Sequence, residues 1–417
     1  MDKPPLNSLT SGRMVKPLVP PIWWAGLGHF QVHFLYTVFF LLLPMIKAHF
    51  NLTYTQMGGL VTTVQVIGTL ANFPSGAAVD MLGKRHVFMA LALIIVGLGY
   101  MMVALTKSYL VLIGCMALSG MGIYMWHPAT LSMLHRFYPD RRGWAVGWHA
   151  TSANVGDAVG PLVAGWLLIW FSWRFVFIST VIPTLVLGAM IFYALAFIEN
   201  GGGAEAENEK QTQKSDKLSL RQYLDGLLGL VRNPHILVLT LATAFRAMTQ
   251  TALHTFLPAM FINLWSFSPF LAGIGLAVMK LSGTVATPIS GRVSDRYGRK
   301  RVARIGLLFS MIAVILIIYV RVSILLVFIL GVLGFFLYSL RPVFIAWAME
   351  LAPEGFSGSI VAFTFLGQSL LSALVPLIGG WMADKWSLTA TLYLIVFTII
   401  AAELLVITVP ESVEQKE

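Results

Sequence analysis

One cysteine and little charge set the first limits on this chain. Only 11% of its 417 residues are Asp, Glu, Lys or Arg, and Cys115, the single cysteine, lies inside an apolar run. A lone thiol excludes an intramolecular disulfide framework. There is no Gly-Lys-Ser/Thr phosphate loop, no Gly-x-Ser-x-Gly elbow and no His-Glu-x-x-His helix, so no constellation for nucleotide-driven pumping, acyl transfer or zinc hydrolysis is present. The chain is therefore not expected to be an enzyme. Residues 1–20 lack the apolar core and cleavage site of a signal peptide, so the first apolar run is expected to act as its own insertion signal. The alternating pattern that a transmembrane barrel needs is absent as well.

What the chain has instead is apolar surface. Hydrophobic residues make up 57% and the mean hydropathy is +0.79, and this surface falls in runs near the ~20 residues that cross a bilayer. Twelve runs can be marked, at residues 22–46, 56–79, 87–105, 109–135, 144–170, 174–197, 234–262, 269–291, 302–320, 323–349, 357–382 and 388–409. Runs this long satisfy their own backbone in lipid only as helices. The expected fold is thus an all-α membrane protein of twelve transmembrane helices. A net charge of +10 would suggest a nucleic-acid partner in a soluble chain, but here its placement matters more, and no nucleic acid is expected. Lys47, Lys107, Arg174, Arg321 and Lys385 fall between runs or at a run's edge on one side, three cations lie deep within runs, and the rest gather on the side of the termini. That asymmetry predicts both termini in the cytoplasm of a bacterial-type inner membrane.

Residues 199–217, "ENGGGAEAENEKQTQKSDK", have the composition of a flexible linker. Beyond it, Leu220, Tyr223, Leu224, Leu227, Leu228 and Val231 recur at helical spacing, which suggests an amphipathic helix or a stub of the seventh run. The expected organisation is a six-helix half over 1–198, a linker over 199–232 and a second half over 233–417. At an offset of 214 or 215, Gly58 pairs with Gly273, Asp80 with Asp295, His127-Pro128 with Arg341-Pro342, and Gly165-Trp166 with Gly380-Trp381. Duplicated halves of this kind pack around a midplane cavity and rock to give alternating access.

The repeat is densest where charge is densest: "GAAVDMLGKR" at 76–85 and "GRVSDRYGRK" at 291–300 share a Gly-x-x-x-Asp-x-x-Gly-basic-basic skeleton. On these motifs and the two-half layout, the chain resembles the major facilitator superfamily over essentially its whole length. The first copy departs from the family pattern in carrying Met81 where Arg is usual. By this resemblance Gly76, Asp80, Gly83, Lys84, Arg85, Gly291, Asp295, Arg296, Gly298, Arg299 and Lys300 form a conformational latch in two loops. "GDAVGPLVAG", at 156–165, resembles the Gly-Pro motif associated with proton-coupled export, although the same residues serve a packing kink equally well. "HFQVHFLYTVFFLLLPMIKAHFNLTYTQMGGLVTTVQ", "WHPATLSM" and "MELAPEGFSGSIVAF" are similar to the fosmidomycin-resistance-type branch, which tends to carry an acidic residue near the place of His33.

Ionisable groups at membrane depth are costly and mark function by default. The first half offers His29, His33, His127, His149 and Asp157, and the second offers Arg246, His254, Lys280 and Arg341. Fixed cations with few acids to match suggest an anionic cargo, since a guanidinium fork fits a carboxylate or phosphonate. Arg246, Arg341, Lys280 and His254, with Tyr36 and Trp126, are the expected substrate ligands; pairing of a cation with Asp157 as a gate is the competing role. His29, His33, His127, His149 and Asp157 are the expected proton carriers. His29 and His33, four apart, also suit a metal, but only if other helices bring further ligands, and none is assigned. The expectation is a monomeric, cofactor-free secondary transporter that moves a small organic anion by alternating access, with protons and the lipid bilayer as its other partners. The alternative is a proton-driven exporter of neutral or cationic amphiphiles.

Overall fold

The computed structural model describes residues 19–201, 229, 232–320, 322–352 and 356–411. It is helical almost throughout: α1 (Pro21–His49), α2 (Tyr54–Leu82), α3 (Arg85–Leu105), α4 (Tyr109–Phe137), α5 (Arg142–Leu167), α6 (Trp173–Gly201), α7 (Pro234–Asn263), α8 (Pro269–Tyr297), α9 (Arg299–Tyr319), α10 (Ser323–Leu351), α11 (Ser357–Lys385) and α12 (Ala390–Thr408). Among the described residues all but α2 and α5 are long and apolar enough to cross a membrane. Those two fall short because Thr62, Thr63, Gln65, Ser152, Asn154 and Asp157 dilute them, and both pack against the opposite half. The linker begins later than expected, since α6 runs to Gly201. The amphipathic segment around Leu220–Val231 lies outside the described residues.

Helix ends follow local chemistry. Thr53 and Gln56 form a reciprocal capping box at α2, Asn233 caps α7, and Ser268 caps α8 ahead of Pro269. α10 is divided at Ser339, because Pro342 offers no N–H to the Tyr338 carbonyl and its ring crowds that turn. The two signature segments need correction: residues 76–82 and 291–297 are helical, not loop. Only Gly83 (φ 65) and Gly298 (φ 96) make the turns, in a backbone region that glycine enters without a Cβ penalty.

Within the first half α1 packs on α5, α2 on α4, and α3 on α4 and α6; within the second, α7 packs on α11, α8 on α10, and α9 on α10 and α12. These are the same pairings displaced by six helices. The halves meet through α2 against α11 and α5 against α8, and here the 215-residue repeat becomes geometry. A Cβ on Gly58 would strike the carbonyl of Pro376, and one on Gly273 would strike the carbonyl of Pro161. Likewise Gly165 lies on the carbonyl of Pro269 and Gly380 on that of Tyr54. Each contact is the other's copy with the halves exchanged. Small residues thus let the helices touch at the face opposite the termini. That face is pinned further by Asp384 of α11, whose carboxylate accepts from the backbone N–H groups of Tyr54 (2.7 Å) and Thr55 (2.8 Å) and from the Thr55 hydroxyl (2.7 Å), and by Asn263 Nδ2 donating to the Tyr54 hydroxyl at 3.3 Å. Toward the termini, by contrast, the interface helices present exposed side chains: Leu70, Phe73, Trp144, Val285, Leu366 and Leu370.

Candidate functional site

Midway along the interface the halves are joined by charge. Asp157 on α5 accepts from Lys280 Nζ of α8 at 3.0 Å and from His33 Nδ1 of α1 at 2.9 Å. The pseudo-symmetric positions are Ser372 and Gln65, and the Ser372 hydroxyl reaches Gln65 Oε1 at 3.5 Å. One side of the approximate two-fold therefore carries a charged bridge and the other a neutral one. Of the expected anion ligands, Lys280 is thus paired with Asp157, a carboxylate that offsets the cost of burying its ammonium. Its ammonium also lies 4.7 Å from the centre of the Tyr338 ring. Thr37, Phe40, Asp157, Pro161, His254, Leu276 and Lys280 enclose a space of about 10 Å³, room for about one water molecule.

The arginines are placed differently. Arg246 on α7 is 1% exposed, with its guanidinium over the Phe344 ring, and its Nε and Nη1 have no hydrogen-bond partner among the described residues. Arg341 on α10 is exposed and lies over the Phe365 ring. Glu350 and Glu403, acids near helix ends, are occupied elsewhere: Glu350 bonds Arg299 at 2.9 Å and Glu403 bonds Arg304 at 2.7 Å. His254 Nε2 pairs with the Tyr338 hydroxyl at 2.7 Å, a partner that the sequence did not single out.

The histidines of three helices converge. His29 stacks on His149 with ring centroids 3.6 Å apart, and His33 and His127 stand edge-on to His29 at 4.7 and 5.2 Å. Trp126 does not line the cavity: it is fully buried, and Gly28 lies on its indole. Tyr36 packs its ring on Phe40 at 4.8 Å. Of the signature residues, Arg299 binds Asp295 at 2.5 Å as well as Glu350, Arg85 donates to Ser132 at 2.8 Å, and Lys300 donates to the Ile407 carbonyl at 2.7 Å. All of these contacts stay within one half. Asp384, Gln65 and Ser372 were missed by sequence reasoning, although applying the 215-residue offset to Asp157 and Lys280 would have found the last two.

Residues 25–283 and 239–417 match the Major Facilitator Superfamily. The chain belongs to that superfamily. It is a multi-pass membrane transporter of that type, and such proteins are not enzymes. It is 21% identical over 404 residues to an uncharacterised transporter of the same superfamily, YfnC, from Bacillus subtilis (strain 168), covering 94% of this chain and 93% of that one. It is 26% identical to the "Multi-drug resistance efflux pump PmrA homolog" of Lactococcus lactis subsp. lactis (strain IL1403), over 64% of this chain and 63% of the pump. A "Hexuronate transporter" of Bacillus subtilis (strain 168) is 23% identical over 82% of both chains. Among solved structures, a bacterial homologue of the human lysosomal transporter Spinster, described as inward-facing and occupied, superposes with a TM-score of 0.78 at 15% identity, over 93% of this chain and 96% of that chain.

Proposed function

We propose that this transporter carries a small organic anion, carboxylate- or phosphonate-like, with its terminal face in the cytoplasm and its cavity open to that side in the conformation described. The observation that carries the reading is Arg246: a buried guanidinium without a described acceptor, in electrostatic range of Arg341, while Asp157 is committed to Lys280 and His33. Two like charges repel, and an anion between them removes the repulsion and satisfies both forks. The likeness to the fosmidomycin-resistance-type branch accords with such a cargo. Export of neutral or cationic amphiphiles is the second reading, favoured by the similarity to efflux pumps such as that of Lactococcus.

The test is binding of matched anionic and neutral analogues to wild type, Arg246→Ala and Arg341→Ala. Loss of a directly clasping arginine should cost roughly 2–5 kcal/mol, about thirty-fold or more in affinity, because a charged partner is left unpaired in a desolvated site. Arg246→Lys should recover only part, since an ammonium lacks the planar fork. A wild type that prefers the neutral analogue, or arginine variants that bind the anion normally, would replace this reading with the amphiphile exporter.

A further inference from the structure

The histidines expected to carry protons make no direct ring-to-ring hydrogen bond among the described residues. Here His29 Nδ1 lies 2.7 Å from the carbonyl of His149, which can only accept, and His33 Nδ1 lies 2.9 Å from the carboxylate of Asp157. Both rings therefore donate from Nδ1, which in the neutral form puts the lone pair on Nε2. The Nε2 of His29 is buried without a partner among the described residues. A protein rarely leaves such an acceptor empty unless something fills it.

We propose that His29, His33 and His127 bind a divalent first-row transition-metal cation on the cavity wall of the first half. Each of the three offers a ring nitrogen such that the set lies within 4.8 Å of one another. Ligands at 2.0–2.1 Å in tetrahedral geometry stand about 3.3–3.4 Å apart, so modest ring rotations close the set. Ligating histidines almost always give their other N–H to a carboxylate or a backbone carbonyl, which fixes the tautomer and aims the ring. His33 with Asp157 shows the first arrangement and His29 with the His149 carbonyl the second. An all-imidazole set favours Zn²⁺, Co²⁺, Ni²⁺ or Cu²⁺ over Mg²⁺ or Ca²⁺, which prefer oxygen. Three ligands leave a fourth position open, and His33, whose side chain is 28% exposed, leaves that position within reach of solvent. The site does not depend on which organic substrate the chain carries.

The experiment titrates CoCl₂ into the purified, tag-free, metal-stripped full chain and follows the visible d–d bands of tetrahedral Co²⁺, with ZnCl₂ as competitor. Wild type should bind a single Co²⁺ that Zn²⁺ displaces, and zinc X-ray absorption should show a nitrogen shell. His29→Gln and His127→Gln should each weaken binding at least ten-fold, and Asp157→Asn, which takes the charge from the acceptor that orients His33, by about 10–100-fold. His235→Gln, at an exposed site on α7, should change nothing. Gel filtration checks that each variant is folded, and the wild-type absorption spectrum stands if one is not. The site is disproved if wild type takes up no stoichiometric Co²⁺, if its spectrum lacks the nitrogen shell, if His29→Gln and His127→Gln bind as tightly as wild type, or if His235→Gln alone removes binding.

Discussion

At the scale of single residues, the deciding feature is how few carboxylates stand inside the bundle. Asp157 serves two partners from two other helices, and Lys280, 9% exposed, depends on it. Asp157→Asn should leave a buried ammonium unpaired at a cost of about 3–5 kcal/mol, whereas replacing both members by uncharged residues removes the desolvation problem along with the bridge. The double variant Asp157→Asn/Lys280→Met should therefore melt closer to wild type than Asp157→Asn does. Thermal unfolding of the purified variants decides this, and a double variant destabilised by the sum of the single losses would show that the pair is not coupled. The ionisable residues themselves were legible in the sequence. Their pairing was not, because His33, Asp157 and Lys280 are more than 120 positions apart across one junction or another and only helix packing joins them.

At the scale of elements, glycine decides how near two helices come. Gly58 on α2 and Gly273 on α8 each lie against a carbonyl of the other half, so an added methyl meets backbone that cannot rotate away. Gly58→Ala and Gly273→Ala should both force the far face apart while leaving each half folded. Spin labels in the 50–53 and 386–389 connections should then report longer distances. Asp384→Asn acts on the same face by weakening the cap at the start of α2, and loss of such a cap costs about 1 kcal/mol, which shifts a two-state equilibrium roughly five-fold. Unchanged label distances in all three variants would show that these contacts do not hold the face closed. The glycines were visible as repeat partners in the sequence, whereas the capping role of Asp384 was not, since nothing local connects the end of α11 to the start of α2.

At the scale of the whole molecule, the conformation explains why the signature residues engage only their own half. The described cross-half contacts lie at the midplane and the far face, and near the termini Arg299 turns to Asp295 and Glu350 on the same side. We propose that the signature segments latch the halves in the opposite state, in which the terminal ends of the interface helices would meet. Asp295→Asn should accordingly slow transport far more than it weakens substrate binding. Parallel measurement of uptake or efflux rate and of equilibrium affinity separates the two; equal losses in both would count against a latch.

The sequence by itself determined the class of this protein. Runs of apolar residues near bilayer length require helices, and a 215-residue repeat requires two related halves, because both constraints are written in local order along the chain. The signature motifs named the superfamily for the same reason. Only the tertiary structure decided which charges meet. Two halves related by an approximate two-fold bring each residue near the copy of its partner, so small departures from the repeat, Asp157 for Ser372 and Lys280 for Gln65, become a charged bridge on one side alone. The histidine lone pairs follow the same logic: spacing put His29 and His33 on one helix face, but the acceptors that fix their tautomers come from α5, and proximity across helices is not encoded in periodicity.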